Sequence, residues 1–102
     1  MSSMTPEGRI KKKLTDMLKH ESIWYFFPAA NGFGKAGIPD VVCIVEGHFV
    51  GIECKSDEKK KPTALQLRCA REIRDAGGYW FLVYDDYSIA EVEKWIQKWK
   101  NR

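Results

Sequence analysis

Two acids and a lysine stand where a short hairpin would bring them together. The chain reads Gly37-Ile38-Pro39-Asp40, an apolar run Val41–Val45, Glu46-Gly47, and then Phe49–Lys55, ending in Glu53-Cys54-Lys55. Taken as the two residues of a hairpin turn, a loop length hairpins favour, Glu46 and Gly47 set Val45 against His48 and Ile44 against Phe49. Counting outward, Asp40 falls opposite Glu53. Cross-strand partners have Cβ atoms about 5 Å apart, and Lys55 shares their face because strand side chains repeat every two residues. Like charges placed opposite each other destabilise a sheet, so this register calls for a divalent cation that offsets the repulsion.

The surrounding pattern supplies elements to hold these residues. Thr5 can N-cap a helix with Pro6 at its first position, and Ile10, Leu14, Met17 and Leu18 then form an apolar stripe at helical spacing. Ile23–Pro28 is aromatic-rich and strand-like. Ala29–Gly37 holds three glycines without periodicity and reads as a loop. After the hairpin and a charged turn at Ser56–Lys61, Thr63-x-x-Gln66 has capping-box spacing. The helix it opens runs to Ala76 with Leu65, Cys69, Ile73 and Ala76 inward, and Gly77-Gly78 stops it. Tyr79–Tyr84 is nearly continuous in apolar character, as a central strand would be. Ser88-x-x-Glu91 opens a last helix toward Lys100. The expected order is α-β-β-β-α-β-α, an α/β fold with a mixed sheet flanked by helices.

Composition bounds the rest. A chain of 102 residues, 44% hydrophobic, is of the size of one domain with one modest core. Its net charge is only +3, but the basic residues cluster, as Arg9-x-Lys11-Lys12-Lys13, Lys59-Lys60-Lys61 and Arg68-x-x-Arg71-x-x-Arg74. Such clusters beside an acidic centre suit a protein that grips phosphates, and each also reads as a solvated helix face or turn. The three cysteines have no C-x-x-C spacing. Cys43 and Cys54 fall on the hairpin face opposite the acids and read as small buried hydrophobes in a reducing compartment. No apolar run approaches the roughly 20 residues of a membrane span, so a cytoplasmic location is expected.

Pro39-Asp40 followed by Glu53-Cys54-Lys55 resembles the signature of the PD-(D/E)xK nuclease superfamily. With Glu7 in the first helix, the glycine-rich approach from Asn31 to Asp40, and Gln66 at the next helix start, the chain resembles the VRR-NUC branch, as a stand-alone domain of the kind carried by phages. The resemblance runs from about Thr5 to Ile96. It implies the superfamily core, a DNA substrate and a catalytic set of Asp40, Glu53, Lys55, Gln66 and Glu7. It also implies a homodimer acting on branched DNA such as four-way (Holliday) junctions.

Phosphodiester hydrolysis needs an activated water and charge neutralisation on the phosphate, which Mg²⁺ or Mn²⁺ supplies through carboxylates, carbonyls and waters. Asp40 and Glu53 are the anionic ligands, the Cys54 backbone carbonyl the neutral one, and Glu7 a further candidate. Lys55 either positions the attacking water or holds the phosphate. Glu7 also reads as a first-turn acid complementing the helix dipole, and Gln66 as the far half of a capping box. Lys35, Lys59, Lys60, Lys61, Arg68, Arg71 and Asn31 are the candidate DNA contacts. A non-catalytic nucleic-acid-binding module is the alternative, as is a restriction- or exonuclease-like enzyme with another DNA target. Among the aromatics, Trp24, Tyr25, Phe33, Trp95 and Trp99 exceed what so small a core easily buries.

Overall fold

The computed structural model describes residues 4–29 and 35–101, so Asn31 and Phe33 lie outside the described residues. Its elements follow the expected order: α1 (Pro6–His20), β1 (Trp24–Phe26), β2 (Val41–Val45), β3 (His48–Cys54), α2 (Ala64–Asp75), β4 (Tyr79–Val83) and α3 (Asp86–Lys100). The strands form one sheet in the order β1-β2-β3-β4, antiparallel except for the parallel β3–β4 pair that α2 connects.

Local signals act where the residue types place them. Thr5 Oγ1 accepts from Gly8 N at 2.9 Å, with Pro6 in the first turn of α1. Thr63 and Gln66 cap α2 reciprocally. α3 starts three residues earlier than the Ser88-x-x-Glu91 spacing indicates. Asp85 is its N-cap, and Ser88 is the reciprocal partner at the third helical position rather than the cap itself. A carboxylate accepts a backbone N–H as well as a hydroxyl does, so the earlier side chain takes the place.

The two faces of the sheet differ. On one, Ile10, Leu14, Met17 and Leu18 of α1 and Ile89, Val92 and Ile96 of α3 close over Val41, Cys43, Val45, Val50, Ile52, Cys54 and Val83. All three cysteines are free and buried, and burial pushes the Cys43 and Cys54 thiols up to about 12, which leaves them inert at neutral pH. Tyr79, Phe81, Trp95 and Trp99 extend this core as a set of edge-to-face and tilted rings. Trp95 and Trp99 therefore line the fold rather than stand in surplus.

The other face carries α2, and the helix covers only part of it. Cys69 and Ala70 are buried, whereas Leu65 is 52% exposed and Ala76 is also exposed. The expected inward set is corrected accordingly: it is the Leu65 backbone that packs, since the loop at Gly37 runs against its carbonyl. Gly37 has φ +77°, and a Cβ there would lie 2.3 Å from Leu65 O, so no side chain fits. An apolar cleft of about 600 Å³ remains between α2 and the sheet, lined by Phe26, Ile38, Pro39, Val42, Phe49 and Ile73 among others. A second correction concerns β4, which is an edge strand and not a central one. Helices on both of its faces, rather than strands on both sides, make its sequence apolar throughout.

Gly51 sits where Pro39 crosses the sheet. A Cβ at Gly51 would come within 2.7 Å of Pro39 Cγ and 3.3 Å of Ile73 Cδ1. Neither the proline ring nor the helix can retreat freely, so Gly51→Ala is expected to destabilise the fold by about 1–3 kcal/mol through overpacking. Thermal denaturation checks this; an unchanged or raised melting temperature would contradict the packing described.

Candidate metal centre

The centre lies at the open end of the β2–β3 hairpin. Glu46 and Gly47 have φ values of +48° and +82°, the pair of positive angles of a type I′ turn. The pairing runs Val45↔His48, Ile44↔Phe49, Cys43↔Val50, Val42↔Gly51 and Val41↔Ile52. One step further lie Asp40 and Glu53. Asp40 precedes the strand proper and is anchored by its Oδ2, which accepts from Cys54 N at 2.8 Å. β4 fixes the far side, with Lys55 N donating to Val83 O at 2.9 Å.

Glu53 is only 2% exposed, and its Oε2 is buried with no hydrogen-bond partner among the described residues. Its carboxyl is pushed up to about 9, first by burial, then by a hydrogen bond with Asp40 and by that residue's charge. The Glu7 charge pushes the same way, and only Lys55 opposes it. At neutral pH Glu53 therefore holds a proton against Asp40, because two carboxylates in contact in a desolvated site do not both ionise. A divalent cation does the same job better, and the residues fit one. The donors are all oxygen, as Mg²⁺ and Mn²⁺ prefer, one of them lacks any partner, and the second acid is in hydrogen-bond contact.

The other expected residues are placed unevenly around this pair. Glu7 is exposed, yet its charge acts on Glu53 and Cys54 from the first turn of α1. Lys55 is half-buried and close enough for its charge to lower Glu53. Gln66 Oε1 accepts from Thr63 N at 2.8 Å, so its amide oxygen is committed to the helix cap. Lys35 is held by Glu72 at 2.9 Å and Arg68 lies 3.8 Å from the same carboxylate. Lys59, Lys60, Lys61 and Arg71 are exposed. From the first basic cluster, Lys12 pairs with Asp16 and Lys13 with Asp86.

Sequence reasoning counted Lys11 with that cluster and missed its position. Its Nζ is 4.0 Å from Asp40 Oδ1, and 5.7 Å from the centre of the Phe27 ring. The signal was available: Lys11 is four residues after Glu7 and shares its helix face. A second acidic group, His20, Glu21 and Glu93, has ligand-type atoms within 4.8 Å of one another. Gln97 and Lys100 of α3 both hold Glu21 there, so this group acts as a clasp between α1 and α3.

The raised Glu53 carboxyl fixes a sign for pH dependence. A carboxyl at about 9 in the fold and near its ordinary value when unfolded contributes stability that is complete at pH 4 and lost as pH rises to about 9. Without divalent cations, the melting temperature is expected to fall across that window more steeply than in Glu53→Gln. Identical pH profiles for the two chains would refute the shared proton.

Comparison with known proteins agrees with this geometry. The sequence matches no family model and no curated protein. Among solved structures it is similar to one described as a VRR_NUC domain. The match has a TM-score of 0.79 and 26% sequence identity, over 89% of this chain and 97% of the other. No described helix is long and apolar enough to cross a membrane. In the order of its elements, the topology of its sheet and its likeness to that structure, the chain has the α/β fold of a VRR_NUC domain, which is PD-(D/E)xK-like.

Proposed function

We propose that this chain is a metal-dependent DNA endonuclease whose centre is Asp40 and Glu53. The observation that carries the reading is the carboxyl of Glu53, buried beside Asp40 with its Oε2 left without a partner among the described residues. Such a pair costs stability, and a protein that only bound DNA would gain nothing from it.

Asp40 and Glu53 would hold Mg²⁺ or Mn²⁺ as anionic ligands. The Cys54 carbonyl joins them, since a strand turns the carbonyl and N–H of one residue to the same side and this N–H already meets Asp40. Glu7 adds negative charge from the helix above. Bound there, such an ion would supply polarisation of the phosphate and a water of lowered pKa. Lys55, on the same strand face as Glu53, holds the scissile phosphate or orients the water. Gln66 completes the set by resemblance. Lys59, Lys60, Lys61 and Arg71 follow the backbone on either side, with Lys35 and Arg68 released from Glu72 as phosphates arrive.

The substrate we favour is branched DNA, with four-way junctions cut by a homodimer. One centre cuts one strand, and a two-fold dimer supplies two centres in symmetric relation. Trp24 (62% exposed), Phe26, Ile44 and Phe49 lie exposed together on the sheet face that α2 leaves open. An apolar patch of this kind suits a self-complementary contact.

Asp40→Ala, Glu53→Ala and Lys55→Ala are each expected to reduce cutting to background, and the two acid changes also to weaken Mg²⁺ binding in calorimetry. DNA affinity should persist. Cleavage that continues in Asp40→Ala with EDTA present would rule out this centre.

For the assembly, light scattering at micromolar concentration is expected to give a dimer, Trp24→Glu/Phe49→Glu a monomer, and junctions the fastest cutting. A monomeric wild-type chain that cuts flaps far faster than junctions would contradict both parts.

A further inference from the structure

Lys11 reaches the acid centre from outside the hairpin. It stands on α1, one turn after Glu7, and its ammonium is 4.0 Å from Asp40 Oδ1. The other oxygen, Oδ2, accepts from the Cys54 N–H. The separation exceeds a hydrogen bond, so the ammonium is attracted to the acid without being bonded to it. Phe27 holds it from another side, 5.7 Å from the ring centre, within the range of a cation–π contact. Its side chain is only 36% exposed, and its three N–H donors are therefore confined to a small volume beside the metal ligands.

We propose that Lys11 is a substrate-binding residue for the phosphate at the centre, and that in the metal-free protein its ammonium stands in for the missing cation. This rests on the reading of Asp40 and Glu53 as metal ligands. Before metal binds, the Lys11 ammonium offsets part of the Asp40 charge from 4.0 Å. With a dication held at the carboxylates, that neutralisation would no longer fall to Lys11. Two positive centres then repel, and Lys11, tethered over Phe27, is left facing whatever anion approaches. With Lys55 on the strand side and Lys11 on the helix side, a phosphate would be flanked by two ammonium groups.

Lys11→Gln separates this role from a merely structural one by sign. Removing a cation beside a metal ligand should tighten Mg²⁺ binding by about three- to tenfold in calorimetry on the full chain without DNA. If Lys11 only braced Asp40, the same change would weaken Mg²⁺ binding. DNA binding is read in a Lys55→Met background, so that bound substrate is not consumed. In Mg²⁺ the Lys11→Gln change should lower the salt slope by about one unit, and in EDTA by much less, since Lys11 is then engaged with Asp40. Lys11→Arg should retain the slope. The calorimetric arm requires no turnover, so it stands even if the chain proves not to cut DNA. Weaker Mg²⁺ binding in Lys11→Gln, or an equal salt slope with and without Lys11 in Mg²⁺, would overturn the assignment.

Discussion

The turn at Glu46-Gly47 is the constraint on which the centre depends. A two-residue turn with positive φ at both positions leaves one register for the strands that leave it. Strand side chains alternate, so a slip of one residue would carry Asp40 and the Val42 row to the other face. It would also bring Cys43 out of the core. The same register therefore buries the apolar row under α1 and α3 and sets the two acids opposite each other. Gly51 and Pro39 secure it at the working end, where proline packs on the space a side chain would fill. The parallel pairing with β4 holds Lys55 in line.

Burying Glu53 beside Asp40 is a local conflict within an otherwise consistent fold. Desolvation disfavours a carboxylate, and a neighbouring carboxylate disfavours it further. Glu53 responds by keeping a proton, and its second oxygen is left without a partner. An amide or an apolar side chain would sit more comfortably there. Local rules are broken at this one point, while caps, turn and core all agree elsewhere, as is expected at a functional site. The inert, core-facing thiols show the contrast: the same strands that carry the acids on one face carry Cys43 and Cys54 on the other, where burial causes no conflict.

Much of the basic character of the chain is engaged internally. Lys12 and Lys13 pair with Asp16 and Asp86, and Glu72 draws both Lys35 and Arg68 toward the middle of α2. These pairs are exposed and individually worth little, so a polyanion can compete for their cations. Lys11 differs from them because its partner is the centre itself. The open part of the α2 face brings together three features that would otherwise lie apart: the acid centre, the apolar cleft and the exposed Trp24–Phe49 row.

What the sequence alone determined was local. The order of elements, the Thr5-Pro6 start of α1, the Thr63–Gln66 cap and the hairpin register were all legible, because each depends on residues within a few positions of one another. The opposition of Asp40 and Glu53 follows from the turn and the period of a strand, with no knowledge of the remaining chain. Tertiary structure decided what depends on distant segments. β4 reads like a central strand, but its place at the edge follows from where α2 returns the chain. Leu65 has the spacing of an inward residue, but the seat of α2 on the sheet leaves it outside. The reach of Lys11 to Asp40 depends on how α1 crosses the end of the hairpin, a matter of packing between Ile10, Leu14 and the core row. The depth at which Glu53 is buried, and hence the proton it keeps, exists only once α1, α2 and the sheet have closed around it.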